Sequence, residues 1–224
     1  MQNCKVNYEV YSKPGQYHEL YGKENEDSIN IVSNSNYIFV ILADGCGSSD
    51  FGKISAQLTV DFVSQYSNKY SEELFLSNKK TVEDMIINLQ QTLEEKAKQL
   101  GTTIKEMECT LVMLCVDLIK KIYLTIHIGD GLVAKKGNQE WEIVSYPENG
   151  TLRRYTYFVN EPSVFNHLRV NCGSYDKETY FLVASDGLFE NCFNTTQYIE
   201  RIDTKLAQHK DDTSYCILKV NMLQ

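Results

Sequence analysis

Clustered positive charge is what this chain most lacks. Its 22 Lys and Arg are scattered among 30 Asp and Glu, for a net charge of -8 and a sequence pI of about 5.1. Without a basic patch a phosphate backbone cannot be neutralised, which argues against nucleic acid as the main ligand. No apolar stretch approaches the roughly 20 residues that span a bilayer, so no membrane role is expected. The polar start Met1-Gln2-Asn3-Cys4-Lys5 has no apolar core of a secretion signal, and a cytoplasmic protein is expected. The seven cysteines (Cys4, Cys46, Cys109, Cys115, Cys172, Cys192, Cys216) form no Cys-x-x-Cys pair, and His18, His127, His167 and His209 form no i, i+4 pair. A zinc or dithiol site is therefore not expected, and the thiols read as reduced small hydrophobes. No repeat, low-complexity tract or linker divides the 224 residues. With 42% hydrophobic and 23% charged residues, one domain over 1–224 with one sizeable core is expected.

What is present alternates between two periods. Tyr8 to Tyr11, Ser28 to Val32 and Tyr37 to Ala43 have strand composition, the last two joined by the polar turn Ser33-Asn34-Ser35-Asn36. Ile54, Leu58, Phe62 and Tyr66 recur at helical spacing. So do Val82, Met85, Ile86, Leu89, Leu93, Ala97 and Leu100, which end at the stop signal Gly101. Thr110 to Val116, Ile122 to Ile128, Gly131 to Lys135 and Trp141 to Val144 read as a meander. Ser145 to Asp176 reads as an irregular connection with one or two short strands, of the kind that borders a site. Tyr180 to Ala184 is a strand, Thr196 to His209 a helix with Ile199, Ile202 and Leu206 inward, and Thr213 to Val220 a closing strand. This order gives an α+β chain with helices segregated from mostly antiparallel sheet.

Four acidic stations stand at strand ends or beside loops: Asn25-Glu26-Asp27, Asp44-Gly45-Cys46-Gly47, Asp186-Gly187 and Asp211-Asp212. An Asp-Gly pair after an apolar run is by itself a turn signal. Here, however, Tyr37 to Ala43 runs straight into Asp44, and Tyr180 to Ser185 into Asp186, so both carboxylates leave buried strands. Carboxylates gathered by a folded sheet make an oxygen-only site of the kind magnesium or manganese prefers.

Six fragments resemble the protein phosphatase 2C family of metal-dependent serine/threonine phosphatases, in its order and over nearly the whole chain. They are Asn25-Glu26-Asp27-Ser28, Ala43-Asp44-Gly45-Cys46-Gly47, Cys109-Thr110-Leu111-Val112, Ile128-Gly129-Asp130-Gly131, Ala184-Ser185-Asp186-Gly187-Leu188 and Lys210-Asp211-Asp212-Thr213-Ser214. The opening from Gly15 through His18 and Gly22 to Asp27 is similar to its short bacterial branch. The resemblance implies a four-layer α-β-β-α sandwich of two mostly antiparallel sheets, with a helix pair on each outer face and two Mn2+ or Mg2+ ions in a cleft at one end. It implies that Asp44 bridges the ions, that the Gly45 carbonyl, Asp186 and Asp212 complete their shells, that Glu26 and Asp27 hold coordinated waters, and that Asp130 with Asp186 serves a third metal. The implied activity is hydrolysis of phosphoserine or phosphothreonine in a protein substrate by a metal-bridging hydroxide, without a phosphoenzyme, and a cognate kinase is an implied partner. Two divalent ions about 3.5–4 Å apart suit a dianionic ester, because they neutralise its charge and lower the pKa of a shared water.

The chain also departs from that family. Gly22 stands where many members carry a phosphate-binding arginine, leaving His18, Lys23 or Arg153-Arg154 as substitutes. Cys46 stands where some place a histidine as leaving-group acid, which leaves a coordinated water as the proton source. Cys46 itself has no arginine at the spacing of a cysteine-dependent phosphatase, since Gly52 is there. Gly131 in place of serine reads as turn chemistry. His18 and His127 have structural readings as well, as hydrogen-bonded or packed rings. Three functions stay open: an active protein phosphatase, a phosphatase-like module that binds a phosphopeptide or partner without turnover, and a hydrolase of small phosphorylated metabolites.

Overall fold

The computed structural model describes residues 4–76, 78–137, 140–149, 156–189, 192, 194–204 and 209–222. Ten strands and five helices follow one another as β1 (Cys4–Lys13), α1 (Gln16–Tyr21), β2 (Ser28–Ser33), β3 (Tyr37–Ala43), α2 (Gly52–Lys69), α3 (Ser71–Leu76), α4 (Asn78–Leu100), β4 (Leu111–Asp117), β5 (Ile122–Ile128), β6 (Leu132–Lys136), β7 (Glu142–Ser145), β8 (Arg169–Ser174), β9 (Glu178–Ala184), α5 (Thr195–Thr204) and β10 (Thr213–Met222). Two five-stranded sheets form, in the orders β1-β10-β9-β6-β7 and β2-β3-β4-β5-β8. Every strand pairing is antiparallel.

The sheets face one another through alternate residues of their strands. Ile38, Val40 and Leu42 of β3 and Val112, Leu114 and Val116 of β4 meet Phe181 and Val183 of β9 and Cys216, Leu218 and Val220 of β10. The intervening residues Phe39, Ile41, Leu111 and Met113 point outward, beneath α2 and α4. Central strands sandwiched between two apolar layers therefore read as continuous apolar runs rather than alternating ones. Phe39 and Phe181 are fully buried, and each such side chain contributes about 2–3 kcal/mol by leaving water.

The α4 stripe from Val82 to Ala97 is buried as expected. The α2 stripe is not the one expected. Its buried face is Gly52, Ser55, Ala56, Thr59, Val60, Val63, Ser64 and Ser67, while Ile54 is exposed and Leu58, Phe62 and Tyr66 only flank the core. Small side chains let the helix lie close on the sheet. Their hydroxyls find partners: Ser55 Oγ donates to the Met107 carbonyl at 2.7 Å and Ser67 Oγ to that of Val63 at 2.6 Å.

The meander also needs correction. β4 and β5 pair with one another, but β6 leaves for the other sheet and lies between β7 and β9. Composition identifies strands, whereas sheet membership depends on where the chain crosses. The outer face of the β1-containing sheet carries α5, not a helix pair, among the described residues; Ile202 and Phe189 cover Leu132, Leu182 and Tyr215 there. Leu206, expected on this helix, lies outside the described residues. No helix among the described residues is long and apolar enough to cross a membrane.

Candidate metal-dependent active site

Antiparallel register gathers the acidic stations at one end of the sandwich. Ser28 pairs with Ala43, so Asp27, just before β2, stands beside Asp44, just after β3. Leu111 pairs with Ile128, placing Thr110 next to the Gly129-Asp130 turn. Ala184 pairs with both Tyr215 and Leu132, which brings Asp186 toward Asp211 and Asp212 ahead of β10. The result is a cleft of about 400 Å³ lined by His18, Glu26, Asp44, Gly45, Cys46, Gly47, Thr110, Asp130, Thr156, Phe158, Asp186, Asp211 and Asp212. No Lys or Arg is among these residues.

Thr110 fixes Asp44 twice: its hydroxyl accepts the Asp44 backbone N–H at 3.1 Å, and its own N–H donates to the Asp44 carbonyl at 2.9 Å. Arg169 on β8 fixes the Asp130 turn by donating to the Gly129 carbonyl at 2.7 Å, while pairing with Glu148 at 3.2 Å. Gly131 is glycine for close packing rather than for turn chemistry. It has no positive φ, and an added Cβ would lie 2.8 Å from the Ala184 carbonyl and 2.5 Å from Val112 Cγ2.

The carboxyl groups repel one another in a dry place. Burial raises Asp44 and Asp186 well above the ordinary carboxylate range, and the charges of Asp130 and Asp211 push both further. Burial likewise lifts Asp130 to about 6 and Asp27 to about 7, the latter against the hydrogen bond from the Ser185 hydroxyl. Among the described residues Glu26 Oε2 and Asp27 Oδ1 are buried with no hydrogen-bond partner.

The two adjacent aspartates differ in kind. Asp212 is buried and already engaged: it accepts N–H groups from Gly15 at 2.8 Å and Glu26 at 2.6 Å, and His18 Nδ1 lies 2.8 and 2.9 Å from its two oxygens. Gly15 has to be glycine for this, since a Cβ would sit 2.3 Å from the Asp211 carbonyl carbon. Asp211 is exposed, its Oδ1 accepts the Asp212 backbone N–H at 2.9 Å, and its charge acts on Asp44, Asp130 and Asp186. Asp211 belongs to an acidic station of the sequence but is not among the expected metal ligands, Thr110 stands in a family-like fragment without an expected role, and Thr156 and Phe158 are not expected in the site. Adjacent aspartates give no local cue to which one turns inward, and Thr156 and Phe158 sit in a stretch without periodicity.

Of the expected residues, Asp44, Gly45, Asp130, Asp186, Asp212, Glu26 and His18 line the cleft, and Asp27 is buried behind it. Lys23 is exposed and outside the lining, although its charge reaches Glu26. Arg153-Arg154 lies outside the described residues. The carboxylates of Asp44, Asp130, Asp186 and Asp211, with orphaned carboxylate oxygens beside them and no Lys or Arg among the described lining residues, fit a hard divalent ion. Among the described residues no three His, Cys, Asp or Glu side chains close on one point. An ion here would take one or two carboxylates at a time and fill its shell with water and the Gly45 carbonyl, as magnesium does.

The fold and this cleft define a phosphatase architecture, and the family comparison agrees: the description Protein phosphatase 2C matches residues 14–220. The chain belongs to the protein phosphatase 2C family of metal-dependent serine/threonine phosphatases. Among solved structures it is similar to RsbX in complex with magnesium, at TM-score 0.68 and 18% identity over 99% of this chain and 100% of that one. PppA, a regulatory component of T6SS in Pseudomonas aeruginosa, is similar at TM-score 0.72 and 15% identity over 99% and 100%. The catalytic domain of the serine/threonine phosphatase PstP with two manganese ions is similar at TM-score 0.68 and 14% identity over 98% and 100%. No curated protein sequence matches the chain.

Proposed function

We propose that the whole chain is one catalytic domain that removes phosphate from phosphoserine and phosphothreonine in a protein phosphorylated by a cognate kinase. The observation that supports this most is the convergence of Asp44, Asp130, Asp186 and Asp211 on one cleft with no Lys or Arg among its described lining residues. In this reading Asp44, Asp186, Asp211 and the Gly45 carbonyl hold two Mn2+ or Mg2+ ions, and Asp130 contributes to a third. Asp211 takes the place that the family resemblance gives to Asp212, whose oxygens are already engaged. When bound, such ions neutralise a dianionic phosphate and lower the pKa of water.

The chain's own residues do the rest. Thr110 sets the position of Asp44. Glu26, in the cleft lining, and Asp27, behind it, stand as acceptors for ordered water, and Arg169 keeps the Asp130 turn in place. Seven dispersed cysteines without a disulfide support a reducing, cytoplasmic setting. A binding module without turnover is disfavoured, because buried carboxylates are costly where nothing uses them.

Purified protein with manganese should hydrolyse para-nitrophenyl phosphate, and Asp44→Asn should abolish turnover with the fold retained. Wild-type inactivity with both manganese and magnesium, toward this ester and toward phosphopeptides, would return the binding module to first place.

A further inference from the structure

The cleft holds a pair of groups that the carboxylate cluster does not account for. His18 is on α1, almost buried, with Nδ1 against both oxygens of Asp212 at 2.8 and 2.9 Å. Asp212 is itself fixed by the Gly15 and Glu26 N–H groups at 2.8 and 2.6 Å. A carboxylate at Nδ1 makes that nitrogen the donor and fixes the ring's orientation, so that Nε2 can take up a proton and pass it on. Nε2 is not among the buried polar atoms without a partner, and the residue lines the cleft, so this nitrogen reaches the open space.

The other donors of the cleft are less suited to releasing a proton there. The Cys46 thiol is 3.1 Å from Ser48 Oγ, and Thr156 Oγ1 donates to the Glu148 carbonyl at 3.3 Å. Among the described lining residues only His18 combines an anchored nitrogen with an open one.

We propose that His18, positioned by Asp212, gives the proton to the seryl or threonyl oxygen as it leaves phosphorus. This rests on the phosphatase reading of the cleft. A water oxygen bonds to phosphorus while the bond from phosphorus to the ester oxygen breaks. The ester oxygen keeps that electron pair and takes the proton from Nε2. The proton lost by the attacking water goes to solvent, and Nε2 is reprotonated from solvent. Ester and water thus become alcohol and inorganic phosphate. An alkoxide is a poor leaving group, and protonating it in the transition state is worth about 10²–10⁴ in rate.

The test compares two esters on the same manganese-loaded protein. para-Nitrophenolate leaves without a proton at neutral pH, whereas the alkoxide of a phosphothreonine peptide needs one. For His18→Gln the loss of kcat on the peptide should exceed the loss on para-nitrophenyl phosphate by about 100-fold. Asp212→Asn should shift the same ratio in the same direction by less. The ratio is taken within one preparation and does not depend on the folded fraction. If neither variant is soluble, the wild type decides: across aryl and alkyl phosphates, a shallow dependence of kcat on leaving-group basicity supports the role and a steep one overturns it. Equal losses on both esters, or a raised KM for the peptide with unchanged kcat, would also overturn it. Inactivity of the wild type toward both esters would instead remove the phosphatase reading beneath it.

Discussion

The Ser185 hydroxyl donates to Oδ2 of Asp27 at 2.9 Å and accepts the Ser214 backbone N–H at 2.9 Å. One side chain thereby ties β9 and β10 of one sheet to the residue that opens β2 of the other. Asp27 is buried between the sheets behind Asp44, and this bond is what supports a carboxyl group there.

Ser185→Ala should leave Asp27 Oδ2 without that donor. The expected cost is about 1–3 kcal/mol, or a fall in melting temperature of roughly 2–10 °C for a chain of this size. Thermal unfolding without added metal measures it, and an unchanged melting temperature would show that the bond contributes nothing.

Metal-free protein should lose stability as pH rises. In the folded state Asp27 titrates at about 7 and Asp130 at about 6, with Asp44 and Asp186 also raised. The folded chain therefore keeps protons that the unfolded chain has given up above about pH 4. The stabilisation is complete below that pH and is lost as pH passes through about 6 and 7. Melting temperature should fall over this window, and manganese should restore it most at the upper end, where cations replace protons. A melting temperature that climbs from pH 4 to 7 without metal would contradict the assignment.

Asp186→Asn should separate activity from stability. Removing one member of a repelling cluster should raise the melting temperature of the metal-free protein, while turnover of para-nitrophenyl phosphate falls more than about 100-fold. Manganese should then stabilise the variant less than the wild type, because ligand stabilisation follows occupancy. A variant that keeps wild-type turnover would remove Asp186 from the site.

The neighbouring aspartates can be told apart by metal titration. Asp211→Asn should raise the manganese concentration for half-maximal activity by about 10–100-fold, with little change in melting temperature. Asp212→Ala should do the reverse: it strips the Gly15 and Glu26 N–H groups and His18 of their acceptor, at a cost of about 3–5 kcal/mol. If Asp212→Asn weakened manganese dependence more than Asp211→Asn, the two roles would have to be exchanged.

Most strands could be read locally. Ile122 to Ile128 and Tyr37 to Ala43 were legible to the residue, because a buried strand is a short run of β-branched and aromatic side chains. The α4 stripe was legible for the same kind of reason, as large apolar residues repeated on one face. The α2 face was not, since serine, threonine and alanine at its buried positions carry no apolar signal when a helix packs close. The short helices α1 and α3 have too few residues for a period to emerge.

By itself the sequence determined an α+β chain with carboxylates at the ends of its strands, since composition, alternation and turn residues act over a few neighbours. Only the tertiary structure decided that β6 joins the sheet opposite β4 and β5, and that Asp212 is gripped while Asp211 faces the cleft. Asp211 and Asp212 lie in the bend just ahead of β10, where no local period fixes which side chain turns inward. Which side is inward at 211 and 212 depends on Gly15, His18 and Glu26, nearly two hundred residues earlier in the chain.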